Sequence, residues 1–220
     1  MKKTGRYDTS TLIEDQYEPG SRGYVLKNLL GIKTKRMMDD VESEELKRAT
    51  RWAMRNFDRD HVFTADDICT LHRIWLESIY IWAGQYRQVI MSKGDFTFAF
   101  PAQIPRLMAE LENKLLSRHT PCRAGSLAAL AEVLAVVHVE LLLIHPFREG
   151  NGRIARLLAV LMALQAGMPY LDFSKIKGKK KNEYFAAVRA GIDRKYDPMS
   201  EIFKDLLSFA LKAAEQGKDS

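Results

Sequence analysis

His145-Pro146-Phe147-Arg148-Glu149-Gly150-Asn151-Gly152-Arg153-Ile154-Ala155-Arg156 is the stretch on which the reading of this chain turns. Strongly apolar runs flank it, Leu127 to Ile144 before and Leu157 to Leu164 after. A polar segment dense in glycine and arginine, set between two buried-looking helices, is poor core material and good site material. Gly150 and Gly152 bracket Asn151, which suits a tight turn where the backbone comes close to a ligand. The helical pattern that follows places this turn at a helix N-terminus, where open N–H groups and the positive dipole end attract phosphate. Arg153 and Arg156 stand one helical turn apart, so both guanidinium groups can face one anion. Glu149 reads either as their salt-bridge partner or, beside bound phosphates, as a holder of Mg²⁺. His145, at the end of the preceding helix, is a candidate general base near neutral pH. Together these residues suggest chemistry on a nucleotide phosphate.

The stretch resembles the signature of the Fic (filamentation-induced-by-cAMP) family, H-x-F-x-D/E-G-N-G-R-x-x-R, at every defined position. The resemblance implies a protein adenylyltransferase of the toxin type, which moves AMP from ATP to a Ser, Thr or Tyr hydroxyl of a target protein and releases pyrophosphate. Carried over residue by residue, it makes His145 the base and Phe147 the buried anchor of the loop. Glu149 would hold Mg²⁺ at the α- and β-phosphates. Gly150, Asn151 and Gly152 would form the anion hole, with the Asn151 amide on the α-phosphate, and Arg153 and Arg156 would clamp the outer phosphates. General phosphate chemistry fits this scheme, because positioning and charge stabilisation carry most of the catalysis.

A chain of 220 residues allows one domain with a sizeable core, and 46% hydrophobic with 28% charged residues reads as soluble and globular. Cys69 and Cys122 have no metal or disulfide spacing and read as reduced thiols of a cytoplasmic protein. The opening residues lack a signal peptide's apolar segment. Glu132, His138 and Glu140 interrupt the Leu127–Ile144 run, which therefore reads as a buried helix and not a membrane span. A net charge of +6 permits acidic partners. No recognition helix or zinc module points to direct nucleic-acid binding.

Along the chain, residues 1–22 read as an irregular arm, 23–215 as a single domain of the Fic type, and 216–220 as a frayed tail. The expected fold is mainly α, a compact bundle of seven or eight helices with one β-hairpin near the site. A first helix fits Asp39 to Phe57, and a capping box at Thr64-Ala65-Asp66-Asp67 opens a second that runs toward Ala83-Gly84. His72 reads as a surface or boundary residue. Val89-Ile90-Met91, a turn at Ser92-Lys93-Gly94-Asp95, and Phe96-Thr97-Phe98-Ala99-Phe100 read as a hairpin. It resembles the family's flap, which pairs with an extended segment of the target, so Ile90, Met91, Ser92, Lys93, Gly94, Phe96, Thr97 and Phe98 are the docking candidates. A helix over Pro101–Ser117 follows, and Ser126 caps the apolar helix that leads to His145. His138 reads as a satisfied core histidine and the lysines between Lys175 and Lys181 as a solvated loop. Asn182 and Tyr184 resemble the family's adenine-covering N-x-Y segment, and Ser200–Ala214 closes the fold as an amphipathic helix.

Two further functional readings stay beside adenylylation: removal of AMP or transfer of another nucleotide, and a catalytically silent basic binding module. Regulation is read from a further family pattern, an inhibitory helix S/T-x-x-x-E-G/N whose glutamate occupies the second motif arginine, here Arg156. A carboxylate on that guanidinium competes directly with a phosphate oxygen. The nearest matches are imperfect. Ser10-Thr11-Leu12-Ile13-Glu14 is followed by Asp15, and Glu215-Gln216-Gly217 has Leu211 where the hydroxyl belongs. The expectation is that a separate small antitoxin protein supplies the glutamate, the alternative being the Ser10–Glu14 segment acting in cis.

Overall fold

The structure, a computed structural model, describes residues 11–94 and 96–216. Residues 1–10, Asp95 and residues 217–220 of the expected tail 216–220 lie outside the described residues, while Gln216 ends the last helix. Seven longer α-helices occur among the described residues. They are α1 (Lys35–Asn56), α2 (Ala65–Leu76), α3 (Ile104–Leu111), α4 (Leu127–Ile144), α5 (Asn151–Gln165), α6 (Lys179–Ala190) and α7 (Asp197–Gln216). α3 runs on through a π turn, Glu112–Leu116, into Ser117–His119. A single two-stranded hairpin, β1 (Ser92–Lys93) and β2 (Phe96–Thr97), is the only sheet among them.

Helix α4 is the axis of the molecule. It is apolar nearly all round, which suits a helix covered on every side, and it packs chiefly on α7 and α5. By length and composition alone it could cross a membrane; here Leu134, Ala135, Val137, Val139 and Leu141 are buried in the core. Ser126 starts it by accepting a hydrogen bond from the Ala129 N–H, at 3.2 Å. Glu140 takes a hydrogen bond from the Tyr196 hydroxyl at 2.5 Å, and His138 one from the Tyr184 hydroxyl at 2.5 Å, so these two polar groups are satisfied internally, while Glu132 is exposed. Helices α1 and α2 pack on each other and on the start of α5, while α6 lies on α7.

Several boundaries moved. α1 begins four residues before the expected Asp39, because Lys35 and Asp39 pair across its exposed first turn. The capping box at Thr64 and Asp67 is present as read. α2, however, ends at Leu76 and gives way to tight turns, in which the Ile79 carbonyl accepts from the Leu29 N–H at 2.8 Å. The hairpin ladder is shorter than expected. Ser92 pairs with Thr97 and Lys93 with Phe96, so Ser92 and Lys93 are strand and not turn. Beyond the two pairs the Phe98 N–H still donates to the Met91 carbonyl at 3.1 Å, and the carbonyls of Val89 and Ala99 accept from the Arg87 guanidinium. Of the three hairpin phenylalanines, Phe98 is buried, Phe96 half-buried and Phe100 exposed.

Residues 11–34 are irregular but anchored. A short 3₁₀ turn, Ile13–Asp15, carries a buried Glu14, and Val25, Leu26 and Ile32 join the core.

Candidate active site

α4 ends on His145, whose backbone is left-handed (φ 53°, ψ 59°), and α5 begins after Gly150, also left-handed at φ 84°. The loop between them is closed on itself. The Asn151 side chain accepts from the Phe147 N–H at 2.9 Å and donates to the Phe147 carbonyl at 2.7 Å. That bonding commits the side-chain amide oxygen and one amide proton of Asn151 to shaping the loop, and its second amide proton is the one left for an anion in the cavity that Asn151 lines. Backbone N–H donors of the first turn of α5 are open to an anion beside it. Gly150 is demanded twice over, because a Cβ there would be strained at this φ and would collide with the Trp75 ring.

Phe147 is fully buried, and its ring stacks on His72 with centroids 3.9 Å apart and planes 11° apart. His72 is therefore no surface residue. It is wholly buried; its Nδ1 accepts from the Gly84 N–H at 2.8 Å and its Nε2–H donates to the Glu149 carbonyl at 3.1 Å. Burial, with the Arg153 charge adding to it, lowers its pKa to about 3, so it is neutral and pins the loop from below. Its helical phase with Ile68, Leu71 and Trp75 was the signal that could have placed it inside.

The His145 Nδ1–H donates to the Leu142 carbonyl at 3.2 Å, since a carbonyl can only accept. That fixes the tautomer with the lone pair on Nε2, which has no hydrogen-bond partner among the described residues. Burial lowers the His145 pKa to about 4, helped by Arg87 and Lys93 and opposed by Glu149. The imidazole is thus unprotonated and able to accept a proton at neutral pH. Phe98 lies flat on the ring, centroids 3.8 Å apart, so this flap candidate is committed to the histidine and withdrawn from docking.

The two arginines are differently placed. Arg153 pairs with the buried Glu42 at 2.7 Å and with Glu149 at 3.2 Å, and its guanidinium lies 4.4 Å from the Trp75 ring centroid. Glu42 is itself held by the Tyr80 hydroxyl at 2.8 Å, while its backbone carbonyl takes the Trp75 indole N–H at 2.8 Å. Sequence reasoning missed Glu42, because nothing local marks an acid on α1 as facing a residue on α5. Arg156 has no carboxylate partner among the described residues; its neighbour is the Tyr184 hydroxyl, which it keeps from an even higher pKa than the value of about 12 that burial imposes. His138 keeps a pKa near 3 by burial; its Nδ1–H donates to the Ala155 carbonyl, and its Nε2 accepts from Tyr184.

His145, Glu149, Gly150, Asn151, Gly152, Arg153 and Arg156 all line one cavity of about 360 Å³. The flap contributes Met91, Lys93, Phe96 and Phe98, and α6 contributes Tyr184, Phe185, Val188 and Arg189. Asn182 is exposed and does not line it, while Phe185, which the sequence reading passed over, does. Lys93 reaches across from the hairpin to sit 3.4 Å from the Phe185 ring centroid. Ile90, Ser92, Lys93, Gly94 and Thr97 remain exposed on the hairpin, with Met91 half-buried. Among the described residues no cluster of three or more His, Cys, Asp or Glu could hold a metal by itself. A single carboxylate with substrate phosphates is how Mg²⁺ is usually held, so Glu149, nearly half exposed in the cavity, fits that ion.

One cavity thus gathers the residues of the Fic-type signature other than the buried Phe147, and comparison with known proteins shows the family. The profile of the Fic/DOC family matches residues 62–163. The probable protein adenylyltransferase y4lH of Sinorhizobium fredii is 32% identical over 162 residues, covering 74% of this chain and 81% of that protein. The protein adenylyltransferase VbhT of Bartonella schoenbuchensis is 29% identical over 200 residues, covering 86% of this chain but only 38% of that protein. Among solved structures, the Fic domain of an effector from Bartonella sp. AR 15-3 superposes with a TM-score of 0.73 at 21% identity, covering 92% of this chain and 95% of the other. A Fic domain from Bartonella quintana, solved with bound ADP, gives 0.67 at 27% identity, covering 82% and 89%. The chain belongs to the Fic/DOC family.

Proposed function

We propose that this chain is a protein adenylyltransferase that transfers AMP from ATP to a hydroxyl of a target protein. The observation that carries the reading is one cavity holding both an arginine without a carboxylate partner, Arg156, and a neutral histidine with Nε2 open. The names of the relatives, and the ADP bound to the B. quintana domain, support the same substrate class. His145 Nε2 takes the proton of a Ser, Thr or Tyr hydroxyl as its oxygen attacks the α-phosphorus. The bond from that phosphorus to the bridging oxygen breaks, and pyrophosphate leaves. First-turn N–H groups of α5 hold the α-phosphate, and Arg153 and Arg156 take the charge that collects on the leaving group. Glu149 would hold Mg²⁺, which when bound neutralises phosphate charge. The hairpin offers unpaired strand edges, so the target docks by strand addition against Ile90–Gly94 or Phe96–Thr97.

Incubation with ATP labelled at the α- or γ-phosphate in a lysate tests the reaction. Protein-bound label from the α position alone is the expected result, and label from the γ position would overturn it. Arg156 also opens on a second hollow of about 320 Å³ lined by Leu46, Thr50, Leu157, Val160, Leu171 and Phe173. That room beside its guanidinium supports control by a separate small protein presenting a glutamate. Glu14, the internal alternative, instead caps the Gln88 N–H at 2.6 Å and offers its carbonyl to Arg148 at 2.9 Å.

A further inference from the structure

Arg87 follows the turns after α2 and is 1% exposed, among the most deeply buried large side chains of the fold. Its guanidinium has no carboxylate within ion-pair distance among the described residues and is spent entirely on carbonyls. Nε donates to His145 at 2.7 Å, Nη1 to Val89 at 2.6 Å and Nη2 to Ala99 at 2.7 Å, with Ile144 a weaker acceptor at 3.5 Å. The Arg87 backbone N–H adds the Pro146 carbonyl at 2.9 Å. One residue thus grips three successive carbonyls of the loop that carries His145, together with one carbonyl on each leg of the hairpin.

Each grip matters mechanically. His145 is a non-glycine residue in left-handed backbone, a conformation that persists only where surrounding bonds over-determine it. Val89 and Ala99 sit where the hairpin leaves the core, so fixing both sets the angle at which β1 and β2 stand over the cavity. Phe98, the residue before Ala99, lies on the His145 ring and closes the circuit through side chains. Only a planar guanidinium with five donors can serve acceptors in these several directions; a lysine ammonium is a point donor that cannot span them. Burial lowers the Arg87 pKa to about 10, with the Glu14 charge opposing the fall, so the group stays cationic at neutral pH.

We propose that Arg87 is a positioning residue that couples the target-docking hairpin to the catalytic histidine, so that movement of one resets the other. The inference rests on the adenylyl-transfer reading of the site. Its expectation is specific: losing the guanidinium should loosen the hairpin and the His145 loop together while leaving the phosphate nest intact. That nest is built by the Asn151–Phe147 clasp, by His72 and by the N-terminus of α5, none of which Arg87 touches.

The test compares the full-length wild type with Arg87→Lys and Arg87→Gln. Hydrogen exchange should show residues 88–100 and the His145 amide losing protection together, with the Phe147 amide in its Asn151 clasp and the bodies of α4, α5 and α7 unchanged. Affinity for Mg²⁺–ATP by calorimetry should stay at the wild-type value, while the turnover of α-label transfer to lysate protein should fall by about 10²-fold. Loss of protection in the hairpin alone, or a rate loss matched by an equal loss of ATP affinity, overturns the coupling. Should neither variant fold, the wild type answers: after correction for intrinsic rates, the Arg87 Nε proton and the Phe98 amide exchange together if one opening frees both. Exchange of the two at clearly different rates overturns the proposal. A wild type that transfers no α-label refutes the adenylyl-transfer reading instead, and the exchange data still decide the coupling.

Discussion

Lowering the pH from about 7 to about 5 should destabilise this fold through His72. Its Nδ1 faces the Gly84 N–H, a donor, so a second ring proton would have no acceptor and would place a charge in a dry site beside the Arg153 guanidinium. Burial accordingly takes the native pKa to about 3, whereas the unfolded chain keeps an ordinary value of about 6.5. A depressed native pKa means that the stabilisation is fully present above pH 6.5 and is lost as the pH falls from there toward 3. Between pH 7 and pH 5 the unfolded chain takes up about 0.7 of a proton at this site that the native chain refuses, a loss of about 2 kcal/mol. His138 and His145, lowered to about 3 and about 4 by burial, add to the loss across the same interval. His72→Gln should therefore lose less stability than the wild type on that acidification, by about 2 kcal/mol. It should also be weaker at pH 7 by about 1–3 kcal/mol, through the unsatisfied Gly84 and Glu149 groups. Urea unfolding at the two pH values, followed by tryptophan fluorescence, measures both quantities. If the variant and the wild type lose the same stability on acidification, His72 is not held neutral and the argument fails.

Other outcomes can be stated from the same geometry. His145→Ala should abolish α-label transfer while ATP affinity stays near the wild-type value; in the wild type kcat/KM should rise with pH through about 4 and stay flat near neutrality, and a midpoint near 6.5 would contradict the burial of the ring. Glu42→Gln should raise KM for ATP by about tenfold, because Arg153 loses its charge-assisted bond, and an unchanged KM would show that Trp75 alone orients it. Arg156→Ala should weaken ATP binding without unfolding the chain, as measured by calorimetry alongside a thermal melt; normal transfer at low ATP would remove it from the clamp. Deleting residues 1–16, or the single change Glu14→Gly, should lower transfer, since the Glu14 carboxylate holds the Gln88 N–H at the hairpin root, and the deletion also removes the Glu14 carbonyl from Arg148. A large rise in label incorporation would restore the reading in which this segment inhibits in cis.

Much of the site was legible because it is contiguous. His145, Glu149, the Gly150–Gly152 turn and the two arginines fall within twelve residues, so chain connectivity alone brings them to one helix start. The helices were legible for a related reason: α4 is apolar all round, and the Thr64 capping box and the Ser126 cap mark starts that depend on local hydrogen bonds. Tertiary structure decided what was non-local. It turned His72 from a surface reading into a buried prop under Phe147, and set the acid of Glu42 against Arg153 across 111 positions of chain. It gave the lining role beside Tyr184 to Phe185, Val188 and Arg189 and left Asn182 outside. It also converted an arginine after a turn, Arg87, into the joint between hairpin and histidine. Sequence patterns record which face of an element is apolar; which polar group meets which across the core depends on how the helices are set against one another, and that is fixed only when the whole interior packs.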